Sequence, residues 1–289
     1  MVSQLDPPLL AVREAVGRAL AEDLLPLGDL TAALVPAGAT ARGAFVARQE
    51  GVVAGSLCVR EALAQLDPTL RLDWRALDGT GVAAGEVLGT VEGSLASILS
   101  GERTALNFLC HLSGVATLTR RFVRAVGGRA TIWDTRKTLP GLRALEKAAV
   151  RAGGGRNHRG NLSEMVLVKD NHLAGLGITE AVQRARAAWP GRTVEVECDR
   201  PEQVEEALAA GATMVLLDNM SPDEVAGCVA LVAGRIPVEV SGGVTLETAG
   251  AYAQAGADLI STSAITQSAP ALDIGLDVDA AGGTAGREA

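Results

Sequence analysis

The 289-residue sequence predicts an α/β chain: an incomplete β/α (TIM-like) barrel preceded by a smaller α+β domain. Three observations carry that expectation. From about residue 130 short apolar runs alternate with amphipathic segments. No Gly-rich dinucleotide fingerprint follows any of those runs. The first third of the chain has another rhythm, with strand-like runs separated by Gly, Pro and Asp. Repeated strand–helix units call for a parallel sheet with helical crossovers, and without the dinucleotide signature a barrel is the favoured closure.

Taken in order, a helix over 9–22 opens the chain, and strands follow at 41–48, 70–76 and 86–92. A long helical region over 95–126, broken near Ser113-Gly114, leads into the barrel. Barrel strands are expected at 130–134, 165–169, 193–197, 213–218, 236–241 and 258–262, fewer than the eight of a complete barrel. Helices over 201–210, 221–232 and 245–255 follow the later strands, with Ser221-Pro222 and Thr245 as N-cap chemistry. The apolar run 271–278 returns to the first domain. The expected domains are therefore 1–112 joined by 272–280, a barrel over 113–271, and a disordered tail over 281–289.

Composition narrows the function. With 48% apolar residues there is ample material for a core. The opening Met-Val-Ser-Gln-Leu-Asp-Pro-Pro lacks the pattern of a signal peptide, and no apolar run reaches membrane-spanning length, so a cytoplasmic enzyme is expected. Cys58, Cys110, Cys198 and Cys228 show no C-x-x-C spacing and read as reduced thiols. A net charge of -8 argues against nucleic acid and anionic membranes as partners. Against that background a local cluster of cations is informative.

Such a cluster falls at the carboxyl ends of the barrel strands. The first ends W-D-T-R-K, placing Asp134, Thr135, Arg136 and Lys137 there; the next three end in Lys169, Glu197 and Asp218. The fifth runs into Ser241-Gly242-Gly243. In a β/α barrel those ends share the face on which active sites are built. A glycine-rich loop between the first two strands adds His158 and Arg159, and the long helix carries Glu102 and Arg103, the latter open to a role as ion-pair partner or interface residue. His111 reads as a packed histidine and His172 as one that orients its loop. Six cations against two acids suit a ligand with several phosphate and carboxylate groups. The Ser-Gly-Gly turn ahead of the Thr245 helix offers backbone N–H groups to a phosphate. Glu197 and Asp218 suit a hard cation such as Mg²⁺ or sugar hydroxyls.

D-T-R-K-T-L-P-G-L-R (134–143), A-G-G-G-x-N-H-R (152–159), V-K-D-N-H (168–172), V-E-V-E (194–197), L-L-D-N (216–219) and S-G-G (241–243), with E-R-T-A-L-N-F-L-x-H-L-S-G (102–114), E-D (22–23) and G-D-L-T (28–31), resemble in order the motifs of the quinolinate phosphoribosyltransferase family. The resemblance covers nearly the whole chain. It implies a sandwich-like first domain, an incomplete barrel, and a homodimer, or an oligomer of such dimers, in which one subunit's first domain caps its partner's barrel. It implies a glycosyltransferase (pentosyltransferase) of NAD biosynthesis, taking quinolinate and phosphoribosyl pyrophosphate to nicotinate mononucleotide with no organic cofactor. In that frame Arg103 from the partner, Arg136, His158, Arg159 and Lys169 surround the carboxylates, and Lys137 and Lys169 lie near the pyrophosphate. Glu197 and Asp218 lie near ribose and Mg²⁺, and Ser241-Gly242-Gly243 and Ser261-Thr262-Ser263 near the 5-phosphate. Lys137, Lys169, Glu197 and Asp218 are then the catalytic set, with Thr135 beside them. The sequence departs from the family pattern at Gly160-Asn161, Ser263 and Gln267.

Two other functions remain open on the residues. Lys169 at a strand end would serve a Schiff-base aldolase, and a non-catalytic relative could keep the fold without turnover.

Overall fold

The computed structural model describes residues 5–173 and 175–280; the tail expected over 281–289 lies outside the described residues. In chain order the elements are α1 (Leu9–Leu24), β1 (Thr40–Ala47), β2 (Gly51–Val52), α2 (Ser56–Leu66), β3 (Arg71–Trp74), β4 (Gly81–Val82), β5 (Val87–Ser94) and α3 (Leu95–Val126). Next come β6 (Thr131–Trp133), α4 (Arg143–Ala152), β7 (Val166–Val168), α5 (Ile178–Ala188), β8 (Val194–Cys198) and α6 (Pro201–Ala210). The last are β9 (Met214–Asp218), α7 (Pro222–Val232), β10 (Val238–Ser241), α8 (Leu246–Gln254), β11 (Leu259–Ser261) and β12 (Ile274–Ala280). They separate into two compact units, one of residues 5–118, 140–153 and 269–280, the other of 119–139 and 154–268.

The first unit is built on a four-stranded sheet in the order β12-β1-β5-β3, with a short β2-β4 ladder beside it. β12, the last strand, pairs antiparallel with β1. Phe45 is wholly buried and meets Trp74 edge-to-face at 5.4 Å. α3 runs unbroken for 32 residues, correcting the expected interruption at Ser113-Gly114. The glycine is there for space, not for a turn: a Cβ on Gly114 would lie 2.0 Å from the Pro270 carbonyl oxygen. Ser113 ties the same stretch to Ala54, its hydroxyl accepting from the Ala54 N–H at 3.0 Å and donating to the Ala54 carbonyl at 3.1 Å. His111 is held by buried Glu146, Nε2 to Oε1 at 2.8 Å, as a packed histidine.

The second unit is the barrel. Its six strands, all parallel, run β6-β11-β10-β9-β8-β7, so the sheet is open between β6 and β7, and β6 makes one bridge, Trp133 to Arg156, with the segment ahead of β7. α5 packs on β7 and β8, α6 on β8, α7 on β10 and α8 on β11. Coverage by helices explains why Val194, Val196, Val215, Leu217, Val240 and Ile260 are all fully buried, since a parallel sheet hides its outer face under its crossovers. Ser221 caps α7 in a reciprocal capping box with Glu224, and Thr245 with Thr248 does the same for α8. Among the described residues no helix is long and apolar enough to cross a membrane. All four cysteines are free.

Candidate active site

Strand alternation sets the site's composition. In β8 the valines at 194 and 196 point one way, so Glu195 and Glu197 share the opposite face; the same period aligns Leu216 with Asp218 and Glu239 with Ser241. That face lines a cavity of about 230 Å³, walled by Thr135, Arg136, Lys137, His158, Arg159, Leu167, Lys169, Glu197, Leu216, Asp218, Glu239, Ser241, Gly242 and Ser261. The structure thus gathers eleven of the fifteen residues singled out from the sequence. An adjoining groove of about 550 Å³ shares Arg136, Arg159 and Lys169 and adds an apolar wall that includes Met165, Leu176 and Trp189.

Four of the expected residues are not among the cavity's lining. Arg103 belongs to the first unit, exposed on α3. Gly243 follows the lining glycine in its turn. Thr262 is buried, its hydroxyl donating to the Val244 carbonyl at 3.2 Å, and the Ser263 carbonyl accepts from Thr266. Thr266, which the sequence did not single out, also donates to the Lys137 carbonyl at 2.8 Å and so fastens the loop after β6 to the turn after β11.

Charge is distributed unevenly within the cavity. Burial first, and then the repulsion of the neighbouring Arg136, hold the Arg159 guanidinium below its usual value. An anion relieves that repulsion. Lys169 pairs with Glu197, and its backbone N–H donates to His172 Nδ1 at 3.0 Å, so His172 does orient its loop. Asp218 accepts from the Asn219 side chain at 2.7 Å. Gly242 has φ +86°, and a Cβ there would lie 2.4 Å from Asn219 Oδ1. Only glycine lets this turn approach the Asp218 loop.

Asp134, read from sequence as one of the charges facing the mouth, is instead buried: it accepts from the His158 N–H at 2.9 Å and the Asn157 side chain at 2.6 Å. His158 is buried too, edge-to-face with Trp133 at 5.2 Å. Its Nδ1 accepts from the Arg159 backbone N–H at 2.7 Å, and its Nε2 faces Glu195 Oε2 at 3.1 Å and Glu239 Oε2 at 3.5 Å. Both nitrogens are thereby engaged within the protein, so His158 orients Arg159 through its backbone and leaves no ring nitrogen for a ligand carboxylate.

Glu195 and Glu239 were missed from the sequence. Both are almost wholly buried, and burial above all pushes Glu195 up to about 7 and, with the neighbouring Glu195 carboxylate, Glu239 up to about 8. A carboxyl whose folded pKa is raised holds a proton that the unfolded chain has lost. Stability from this source is present below the ordinary value of 4.5 and is lost as pH rises through about 8. Glu239→Gln should therefore be more stable than wild type at pH 9 by a few kcal/mol, the gap closing towards pH 4.5; urea midpoints at both pH values measure it.

Glu197 and Asp218 offer hard oxygen ligands on one wall of the cavity. Glu197 is already engaged by Lys169, so the pair suits a Mg²⁺ that keeps waters and substrate phosphates among its ligands better than one caged by protein alone.

Comparison with known proteins agrees with this geometry. The family model "Quinolinate phosphoribosyl transferase, C-terminal domain" matches residues 115–277 and its N-terminal counterpart residues 29–113. A Mycobacterium leprae protein named nicotinate-nucleotide pyrophosphorylase [carboxylating] is 44% identical over 279 residues, covering 93% of this chain and 97% of that one. A Bacillus subtilis protein named as a probable enzyme of the same kind is 43% identical over 254 residues, 87% of this chain and 88% of that one. The solved nicotinate-nucleotide pyrophosphorylase of Francisella tularensis superposes with a TM-score of 0.92 at 36% identity, covering 96% of this chain and all of that one. With both domains matched in order, the chain belongs to the quinolinate phosphoribosyl transferase family.

Proposed function

We propose that the chain transfers the phosphoribosyl group of phosphoribosyl pyrophosphate to the ring nitrogen of quinolinate, with loss of one carboxylate as CO₂, giving nicotinate mononucleotide and pyrophosphate. The observation that carries this assignment is the crowding of Arg136 and Arg159 beside the Lys169–Glu197 pair and Asp218 in one cavity. Two guanidiniums side by side fit a ring bearing two adjacent carboxylates. Carboxylates on the next strands fit a ribosyl carbon that becomes positive as pyrophosphate leaves.

The residues then divide the work. Arg136 and Arg159 hold the dicarboxylate and aim its nitrogen; Glu197 and Asp218 hold the ribose and stabilise the oxocarbenium-like centre. Lys137 and Lys169 balance the leaving pyrophosphate. The Ser241-Gly242-Gly243 turn ahead of α8 and the Ser261-Thr262-Ser263 turn offer donors to the 5-phosphate. Mg²⁺, when bound with the pyrophosphoryl group beside Glu197 and Asp218, would supply further charge neutralisation. Once ribosylated, the ring nitrogen is cationic and withdraws the electron pair released when the adjacent carboxylate departs.

Arg103 completes the carboxylate shell in this proposal when supplied by a second copy in a homodimer. It is exposed on α3, and the first unit also exposes Leu25, Leu27, Leu30 and Leu34. Four exposed leucines within ten residues fit an interface. We place the enzyme in the cytoplasm, where its free thiols stay reduced. The Schiff-base alternative is weakened by the Lys169–Glu197 ion pair, since a paired ammonium has no lone pair for a carbonyl. Incubation with quinolinate, phosphoribosyl pyrophosphate and Mg²⁺ should release pyrophosphate and nicotinate mononucleotide in equal amounts, and nicotinate in place of quinolinate should give neither. Equal turnover of the two acids would sink the dicarboxylate assignment.

A further inference from the structure

The proposed reaction needs a proton as well as a leaving group. When the C–CO₂ bond at ring position 2 breaks, its electron pair stays on C2 beside the cationic nitrogen, and a new C–H bond must form there. Resting on that reaction, we propose that Glu239 is the general acid that protonates C2. Its carboxyl O–H bond breaks, the proton passes to C2, and the resulting carboxylate regains a proton from water as product leaves.

Position comes first. Glu239 is 1% exposed yet lines the cavity, on the same face of β10 as Ser241. Its carboxyl is hydrogen-bonded to Glu195 and Ser261, and its Oε2 lies 3.5 Å from His158 Nε2. Position 2 adjoins the nitrogen that meets the ribose near Glu197 and Asp218, and its carboxylate faces the arginines. A group on the wall between those two sets is therefore well placed for C2.

Protonation state follows from the neighbours. Glu239 faces Glu195 on β8, His158 on the segment between α4 and β7, and Ser261 on β11, with Arg159 and Lys169 lining the same cavity. A backbone N–H can only donate, so the bond from Arg159 N–H to Nδ1 leaves His158 neutral, with its hydrogen on Nε2. That hydrogen goes to Glu195 Oε2 at 3.1 Å, which makes Glu195 the natural carboxylate and leaves the pair's proton on Glu239. Burial favours the same state, and a buried carboxylic acid kept neutral so that it can donate is known chemistry. A neutral acid is also compatible with a bound dicarboxylate, where a second carboxylate would repel it. His158, Glu195 and Glu239 place their ligand atoms within 4.8 Å of one another, as a metal site would. The hydrogen on Nε2 argues against one, because a metal there would need the lone pair.

The test is rapid-quench single turnover of the full-length enzyme with quinolinate, phosphoribosyl pyrophosphate and Mg²⁺, following pyrophosphate and nicotinate mononucleotide separately. Glu239→Gln keeps the shape and removes the transferable proton. It should release pyrophosphate at close to the wild-type rate but form nicotinate mononucleotide about 10²-fold more slowly, with Glu239→Asp recovering part of the loss. Both products appearing in step, whether at wild-type rates or equally slowed, would overturn the assignment; the second case marks a role in binding or packing alone. Should the variant not fold, wild type decides: nicotinate mononucleotide formation must fall relative to pyrophosphate release as pH rises through about 8, and a constant ratio refutes the proposal. Wild type that makes no nicotinate mononucleotide from these substrates defeats the reaction assignment instead.

Discussion

Arg136→Ala should lower kcat/KM for quinolinate by about 10²- to 10³-fold, because truncating one partner of a desolvated charged hydrogen bond costs roughly 2–5 kcal/mol and each 1.36 kcal/mol is a factor of ten. Arg136 lines both the cavity and the adjoining groove and stands close enough to Arg159 to depress its pKa. The loss should appear mainly in KM for quinolinate, with a smaller change in KM for phosphoribosyl pyrophosphate, since the turns assigned to the 5-phosphate lie on other loops and only Lys137 shares this one. Arg136→Lys should restore little: a single ammonium cannot reproduce the planar fork that meets a carboxylate with two parallel bonds. Steady-state kinetics with each substrate varied in turn measure both effects. A near-normal kcat/KM in Arg136→Ala would remove the residue from the carboxylate site.

The sequence made this site legible where charge marks the end of an apolar run. Thr135, Arg136, Lys137, Lys169, Glu197 and Asp218 all line one cavity because strand ends of a parallel barrel converge whatever lies between them. Charge inside a strand was harder to interpret. Glu195 and Glu239 sit two residues before Glu197 and Ser241, on the same face but one layer deeper, where buried carboxylates are rarely expected. Their signal was nonetheless present: an acid within V-E-V has nowhere to go in a sheet covered by helices except into the barrel. Direction was harder still: Asp134 turns from the mouth to the Asn157 side chain and the His158 N–H, His158 turns to Glu195, and nothing in their spacing records a rotamer. α4 shows another limit. It follows β6 in sequence as a crossover helix would, yet it belongs to the first unit, where it packs on α1.

Gly114 carries the last lesson and the largest expected effect on folding. In a helix interior alanine is better than glycine by about 1 kcal/mol, so Gly114→Ala would ordinarily stabilise α3. Here the added methyl would fall 2.0 Å from the Pro270 carbonyl oxygen and 2.9 Å from the Ala271 Cα. Those are backbone atoms of the segment that returns to pair β12 with β1, and the Leu272 N–H donates to the Cys110 carbonyl of the same helix at 2.9 Å. Neither side can yield by rotating a side chain. Overpacking of this kind costs about 1–3 kcal/mol where side chains absorb it and more where backbone must move. We expect Gly114→Ala to lose roughly 3 kcal/mol, or about 6–12 °C in Tm at 2–4 °C per kcal/mol for domains of this size. Gly227 in α7 is the control: it is exposed and helical, and nothing lies within 4 Å of its would-be Cβ. There the same substitution should raise stability by up to about 1 kcal/mol. Opposite signs for one chemical change would establish that the Ser-Gly pair marks close passage of the returning chain, and equal signs would leave the unbroken α3 without its explanation.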